Sequence, residues 1–69
     1  MSEFKISLRA ARVNAEMTQA AAAEAIGVAR ETIATWEQGS PMPPGDKLWE
    51  LCNLYGAPID AIFLGKKFA

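Results

Sequence analysis

Apolar residues recur at helical spacing along the chain and predict a series of short helices. In the clearest stretch, Leu48, Leu51, Cys52 and Tyr55 lie at i, i+3, i+4 and i+7, so they share one face of a helix. Glycine and proline separate the periodic segments, because both residues interrupt helices. The predicted helices cover residues 8 to about 15, 19–26, 30–38, 46 to about 55, and a short final stretch at 58–63.

Residues that start and stop helices flank these segments. Ser7 and Thr18 can act as N-caps, because a hydroxyl accepts a backbone N–H that the first helical turn leaves unpaired. Gly27 and Gly39 can end the second and third helices, since glycine reaches the left-handed conformation without a Cβ penalty. A proline-rich loop follows at 40–45, and Asp46 is a candidate N-cap or first-turn acid for the fourth helix. The predicted class is all-α.

The segment 18–39 is predicted to form a helix-turn-helix. Two helices joined by a three-residue turn cross steeply, so the residue at the crossing must be small, and Ala23 is. Gly27 supplies the positive φ that the turn needs. Apolar side chains then anchor the second helix of the pair: Val28, Ile33 and Trp36. Its opposite face is free and polar enough to meet a DNA groove, and it carries Arg30, Glu31, Ala34 and Thr35.

Composition favours one globular domain over residues 1–69, with a flexible tail at about 65–69. The chain is 51% apolar and 22% charged, which is typical of folded proteins. No apolar run approaches the roughly 20 residues that span a bilayer, and the first residues lack the plan of a signal peptide. We therefore expect a cytoplasmic protein without a membrane partner and without a separate sensor or oligomerisation domain.

The chemistry-bearing residues give little support to an enzyme. The chain has no histidine and a single cysteine, so the commonest general base, the commonest metal ligand and an internal disulfide are all missing. Cys52 lies on an apolar stripe, where we expect an inert core residue. We expect no catalytic residue, no metal and no cofactor.

The chain resembles the lambda-repressor-like, Cro/repressor-type (XRE) helix-turn-helix family. The matching residues run in order without gaps: Arg12, Thr18, Gln19, Ala23, Gly27, Val28, Thr32, Ile33, Trp36, Glu37, Gly39, Pro43, Leu48, Leu51, Gly56, Asp60 and Phe63. The resemblance implies a compact five-helix bundle with the helix-turn-helix in helices 2 and 3. It also implies sequence-specific binding to double-stranded DNA in transcriptional regulation, with helix 3 in the major groove.

The resemblance also implies a role for individual residues. The residues implied to contact bases are Ala29, Arg30, Glu31 and Thr35, and those implied to contact phosphates are Gln19, Gln38 and Ser40. Gln19 also matches a glutamine that braces the recognition helix. Arg12 and Glu37 match a pair that forms a salt bridge in parts of the family. With Ala23, Gly27, Ile33, Trp36 and Gly39, this pair makes up the structural motif.

The chain departs from the family pattern in three places. Ala29 stands where a capping Ser or Thr is usual, which removes about 1 kcal/mol of helix stabilisation. Ala22 replaces a usual leucine and thins the core unless Trp49 or Phe4 fills the space. Residues 40–42 lack the usual Lys or Arg, and the net charge is −1, so few cations are available to phosphates.

Two partner hypotheses remain open from the sequence. In the first, a homodimer binds a palindromic operator, because one recognition helix reads only a few base pairs. Apolar residues near the end of the chain are candidates for that dimer contact or for a partner contact: Ile59, Ile62, Phe63, Leu64 and Phe68. In the second, the same fold captures another regulator protein, as an antirepressor or antitoxin-like partner does; the acidic balance favours this alternative.

Overall fold

Four α-helices carry the fold in the computed structural model, which describes residues 6–39 and 41–63. They are α1 (Leu8–Asn14), α2 (Gln19–Ile26), α3 (Arg30–Glu37) and α4 (Gly45–Tyr55), and they confirm the four longer helices of the prediction. None of the helices in these two ranges is long and apolar enough to cross a membrane. The predicted tail at 65–69 lies outside the described residues.

The fifth helix was predicted wrongly. Residues Ile59–Ala61 form a single 3-10 turn, and the chain then becomes extended in a short strand, β2 (Ile62–Phe63). This strand pairs in parallel with β1 (Ile6–Ser7), with Ile6 opposite Ile62. A helix of six residues gains too few backbone hydrogen bonds to form alone, whereas the strand pairing buries Ile62 to 5% exposure. The two-residue ladder is an addition to an otherwise all-α fold.

The predicted hydroxyl caps are present at α1 and α2. Ser7 Oγ accepts from the Ala10 amide, and Thr18 Oγ1 accepts from the Ala21 amide, each at 3.0 Å. At α4 the N-cap is Pro44, which has no side chain that can cap, so Asp46 is a first-turn acid there. An acid in the first turn still interacts favourably with the positive end of the helix dipole.

Left-handed residues follow all four helices. Gly27 (φ 76°) ends α2 and Gly56 (φ 72°) ends α4. Gly39 (φ 89°) follows α3, as predicted, and Glu16 (φ 61°) takes the same conformation after α1. After Gly27 the Val28 amide donates to the Ala23 carbonyl at 3.0 Å, which is the six-residue hydrogen bond of the Schellman motif. Glu16 is therefore the one non-glycine residue with positive φ in the described chain.

The core lies where α2, α3 and α4 meet over α1. Its fully buried side chains include Ala22, Ile33 and Leu51, each exposed by 1% or less. Trp49 is 61% exposed, so it does not fill the space beside Ala22 as the sequence had allowed. Phe4, the other residue considered for that role, lies outside the described residues. Ala22 and Ala23 are themselves buried, so small side chains occupy this part of the core.

A matched pair of substitutions tests the left-handed positions. We expect Glu16→Gly to raise the free energy of unfolding by about 1 kcal/mol, because an L-residue pays that much for the left-handed conformation. Gly27→Ala should lower it by a similar amount; a Cβ at Gly27 meets nothing within 4 Å, so backbone strain alone acts. Urea unfolding of both variants measures the two changes. A loss of stability in Glu16→Gly would contradict the left-handed conformation of Glu16.

Candidate nucleic-acid interface

The turn between α2 and α3 presents one side of α3 to solvent. Ala29 is the N-cap of α3 and makes no side-chain capping hydrogen bond, as expected from its lack of a hydroxyl. Ile33 (1% exposed) and Trp36 (8% exposed) hold α3 against the core. The side chains of Arg30 and Glu31 are 56% and 79% exposed. The prediction of an anchored face and a free face on this helix is confirmed for Arg30 and Glu31, whereas Ala34 and Thr35 are half-buried.

The free face of α3 combines charge with small polar groups. Arg30 Nη2 lies 3.9 Å from Glu31 Oε2, and an exposed pair of this kind contributes only about 0–1 kcal/mol, so a ligand can separate it. Thr35 Oγ1 donates to the Glu31 carbonyl at 2.9 Å, which leaves its methyl group for apolar contact. A hollow of about 280 Å³ runs from this face towards the next loop, lined by Glu31, Thr32, Thr35, Trp36 and Pro41.

A largely buried ion pair fixes α3 to the rest of the domain. Arg12 Nε donates to Glu37 Oε2 at 2.6 Å, and Arg12 Nη2 donates to Glu37 Oε1 at 3.3 Å. The two side chains are 11% and 6% exposed. Hydrogen bonding to Glu37 raises the pKa of Arg12 above its ordinary value, against a smaller opposing effect of burial. The pair that the family resemblance implied is present, and Arg12 is therefore not available to contact DNA.

Two further hydrogen bonds connect this pair to its surroundings. Gln19 Nε2 donates to Glu37 Oε1 at 3.1 Å, so the first residue of α2 braces the last residue of α3. Arg12 Nη1 donates to the Met17 carbonyl at 2.9 Å. The role of Gln19 in bracing α3 was expected from the resemblance, whereas the Met17 contact was not. A backbone carbonyl carries no sequence signal, so only the fold could identify it.

Burial also changes the titration of two residues of α4. Burial, followed by the nearby Glu37 carboxylate, raises the pKa of Tyr55 to about 12. Burial likewise raises the pKa of the Cys52 thiol. Both groups are therefore neutral at physiological pH. A buried, protonated thiol is a poor nucleophile, which agrees with the prediction of an inert core cysteine.

Lys47 supports the turn from the other side. Its Nζ lies 3.3 Å from the Ile26 carbonyl, at the end of α2, and 3.6 Å from Glu50 Oε1. The carbonyls of the last helical turn lack intrahelical partners, so Lys47 satisfies one of them and connects α4 to the helix-turn-helix. No sequence pattern marks Lys47 for this role, because its acceptor lies 21 positions away.

A family model described as helix-turn-helix matches residues 8–62. The matched segment begins with α1 and ends in β2, so it covers all four helices. The chain belongs to the XRE-type helix-turn-helix family. Comparisons with curated proteins and with solved structures find no match. Family membership places the chain among regulators that bind double-stranded DNA.

The remaining candidate residues of this XRE-type chain lie at the two ends of α3 and near the end of the chain. Ala29 is exposed at the start of α3, and Gln38 is exposed at its end, where it is the C-cap. Ser40 lies outside the described residues. Of the apolar residues proposed for a partner contact, Ile59 is 45% exposed, whereas Ile62 belongs to the core. The side chain of Phe63, together with Leu64 and Phe68, lies outside the described part of the chain.

Removing one partner of the buried pair should destabilise this domain strongly. We expect Arg12→Met to lower the free energy of unfolding by about 3 kcal/mol, because Glu37 is left as a buried charge without its counterion. Arg9→Met is the matched control: it removes the same charge from an exposed position of α1 and should change stability by at most about 0.5 kcal/mol. Urea unfolding measures both.

A double variant separates loss of the ion pair from loss of packing. Arg12→Met with Glu37→Gln removes both charges, and it should recover a substantial part of the stability lost in Arg12→Met. Equal stabilities for the Arg12→Met and Arg9→Met variants would show that the ion pair does not hold α3.

Proposed function

We propose that this chain is a sequence-specific regulator of transcription that reads the major groove with α3. The observation that carries the proposal is the exposed Arg30 and Glu31 in the first turn of a helix whose opposite side is anchored by Ile33 and Trp36. In helix-turn-helix proteins, residues at the N-terminal end of the recognition helix contact base edges. The ion pair of Arg12 and Glu37 holds that helix in a fixed orientation.

The chemistry of the exposed side chains suggests which bases they contact. Arg30 can donate two hydrogen bonds to guanine O6 and N7, and Glu31 can accept from cytosine N4. Ala29 and the methyl group of Thr35 suit contact with a thymine methyl group. We assign phosphate contacts to Gln19, Gln38 and Ser40, which supply uncharged donors.

Few cations are available to strengthen these phosphate contacts. Arg12 is held by Glu37, and Lys47 is directed to the Ile26 carbonyl and Glu50. Within the helix-turn-helix, residues 18–39, Arg30 is the single lysine or arginine. Each neutralised phosphate adds about 0.9 to the slope of log affinity against log salt. We therefore expect weak non-specific binding and a shallow salt dependence.

Selection from a random DNA pool tests the proposal. Wild-type protein should enrich a defined operator, and Arg30→Ala should weaken binding to it by about 1–3 kcal/mol, the value of one bidentate base contact. Arg9→Ala, which removes an exposed charge from α1, is the control and should weaken binding less. The log–log salt slope should stay shallower than about −6 per dimer. Failure of wild-type protein to enrich any sequence would reject the proposal.

We further propose that two copies bind a palindromic operator together, with their recognition helices about 34 Å apart. Ile59 is a candidate for the contact between copies because it is 45% exposed. The residue before it, Pro58, lines an apolar groove of about 280 Å³ whose wall includes Ile6, Ala11 and Ala61. A second copy that covers this groove removes apolar surface from water.

Ile59→Glu tests the contact between copies. A charge placed in a dimer contact is desolvated without a partner, so we expect Ile59→Glu to shift the protein to monomer and to weaken operator binding. Val13→Glu introduces the same charge at a 50% exposed position of α1 and should leave association unchanged. Sedimentation with and without operator DNA measures both variants. An unchanged association state in Ile59→Glu would exclude this surface.

Capture of another regulator protein is a second candidate function. The observation that favours it is Trp49, which exposes 61% of its surface on α4 although tryptophan is enriched in protein interfaces. A mobility shift with upstream DNA, with and without the candidate regulator, distinguishes the two functions. Binding to the regulator alone would favour this second function over the first.

A further inference from the structure

The helix-turn-helix of this protein is acidic. Residues 18–39 contain three glutamates and one arginine. Glu37 is neutralised by Arg12, but Glu24 and Glu31 are both exposed. Non-specific DNA binding depends on cations that replace the counterions of phosphates. A surface with this charge gains little from DNA of arbitrary sequence.

Glu31 stands out among these carboxylates because of its position. It lies in the first turn of α3, next to Arg30, and its side chain is 79% exposed. Most groups on the floor and walls of the major groove are acceptors or anions: guanine O6 and N7, thymine O4 and the phosphates. A carboxylate repels all of these. The Glu31 carboxylate is favourable only where an amino group, such as cytosine N4, can donate a hydrogen bond to it.

We propose that Glu31 determines specificity mainly by exclusion, so that it weakens binding to wrong sequences more than it strengthens binding to the right one. This inference rests on the proposed DNA-reading function of α3. At a wrong site the Glu31 carboxylate meets acceptors and keeps Arg30 beside it, within 3.9 Å. At the operator, the two side chains separate towards cytosine and guanine and both charges gain partners.

The adjacency of Arg30 and Glu31 in the chain restricts the sequence that satisfies both. They are consecutive residues of α3, and consecutive Cα atoms lie about 3.8 Å apart, which is close to the rise of about 3.4 Å between stacked base pairs. Arg30 and Glu31 therefore address the same base pair or adjacent pairs. The operator half-site should contain guanine and cytosine within one base step at this position.

Glu31→Gln tests exclusion, with Glu24→Gln as the matched control. Both variants remove one exposed glutamate charge, but Glu24 lies on α2 and outside the proposed base contacts. The measurement is the dissociation constant for two labelled duplexes, the operator selected by wild-type protein and a duplex of random sequence. Glu31→Gln should tighten binding to the random duplex by about fivefold without tightening operator binding, so that the specificity ratio falls by at least about fivefold. Glu24→Gln should change both constants by the same factor.

The outcomes separate this inference from the function on which it rests. A specificity ratio in Glu31→Gln equal to that of Glu24→Gln would overturn exclusion by Glu31 while leaving operator binding intact. Weaker binding of Glu31→Gln to the operator, with no change for the random duplex, would show an ordinary attractive contact and would also overturn exclusion. If wild-type protein binds neither duplex, both the proposed function and this inference are rejected. Thermal unfolding of both variants confirms that each is folded.

Discussion

The ion pair between Arg12 and Glu37 is the interaction on which the arrangement of the first three helices depends. Arg12 comes from α1 and Glu37 from the end of α3, and Gln19 adds a donor from the start of α2. Two charges held out of water are stable only when each is well paired and hydrogen-bonded. Arg12 meets that condition with bonds to Glu37 and to the Met17 carbonyl. The orientation of α3 is therefore determined by contacts on the side away from its exposed face.

Contacts within the domain reduce the number of cations available on its surface. Arg12 pairs with Glu37 and is not available to contact DNA, and Lys47 binds the Ile26 carbonyl at the end of α2. The exposed face of α3 is left with Arg30 and Glu31, which lie close enough to pair with each other. In the proposed DNA-reading function, such a surface would depend on shape, on uncharged donors and on correctly placed bases more than on attraction to phosphate. The proposal therefore implies selectivity and weak binding to DNA in general.

Small residues shape the domain as much as charges do. Ala22 and Ala23 are both buried, so α2 can lie close to its neighbours despite the lack of a large side chain at position 22. Trp49 is exposed instead of filling that region. The domain thus builds this part of its core from small side chains and leaves a large aromatic residue on its surface, where a partner can contact it.

The sequence by itself determined the local features. Ser7, Thr18 and Gly27 act on backbone groups three to five positions away, so the helix boundaries and the turn followed from residue type and spacing. The spacing of Ile33 and Trp36 likewise separated the buried face of α3 from its exposed face. Only the tertiary structure decided that Ile62 pairs with Ile6 and that Lys47 binds the Ile26 carbonyl. Those contacts join distant parts of the chain, and their energy depends on a geometry that local residue preferences do not contain.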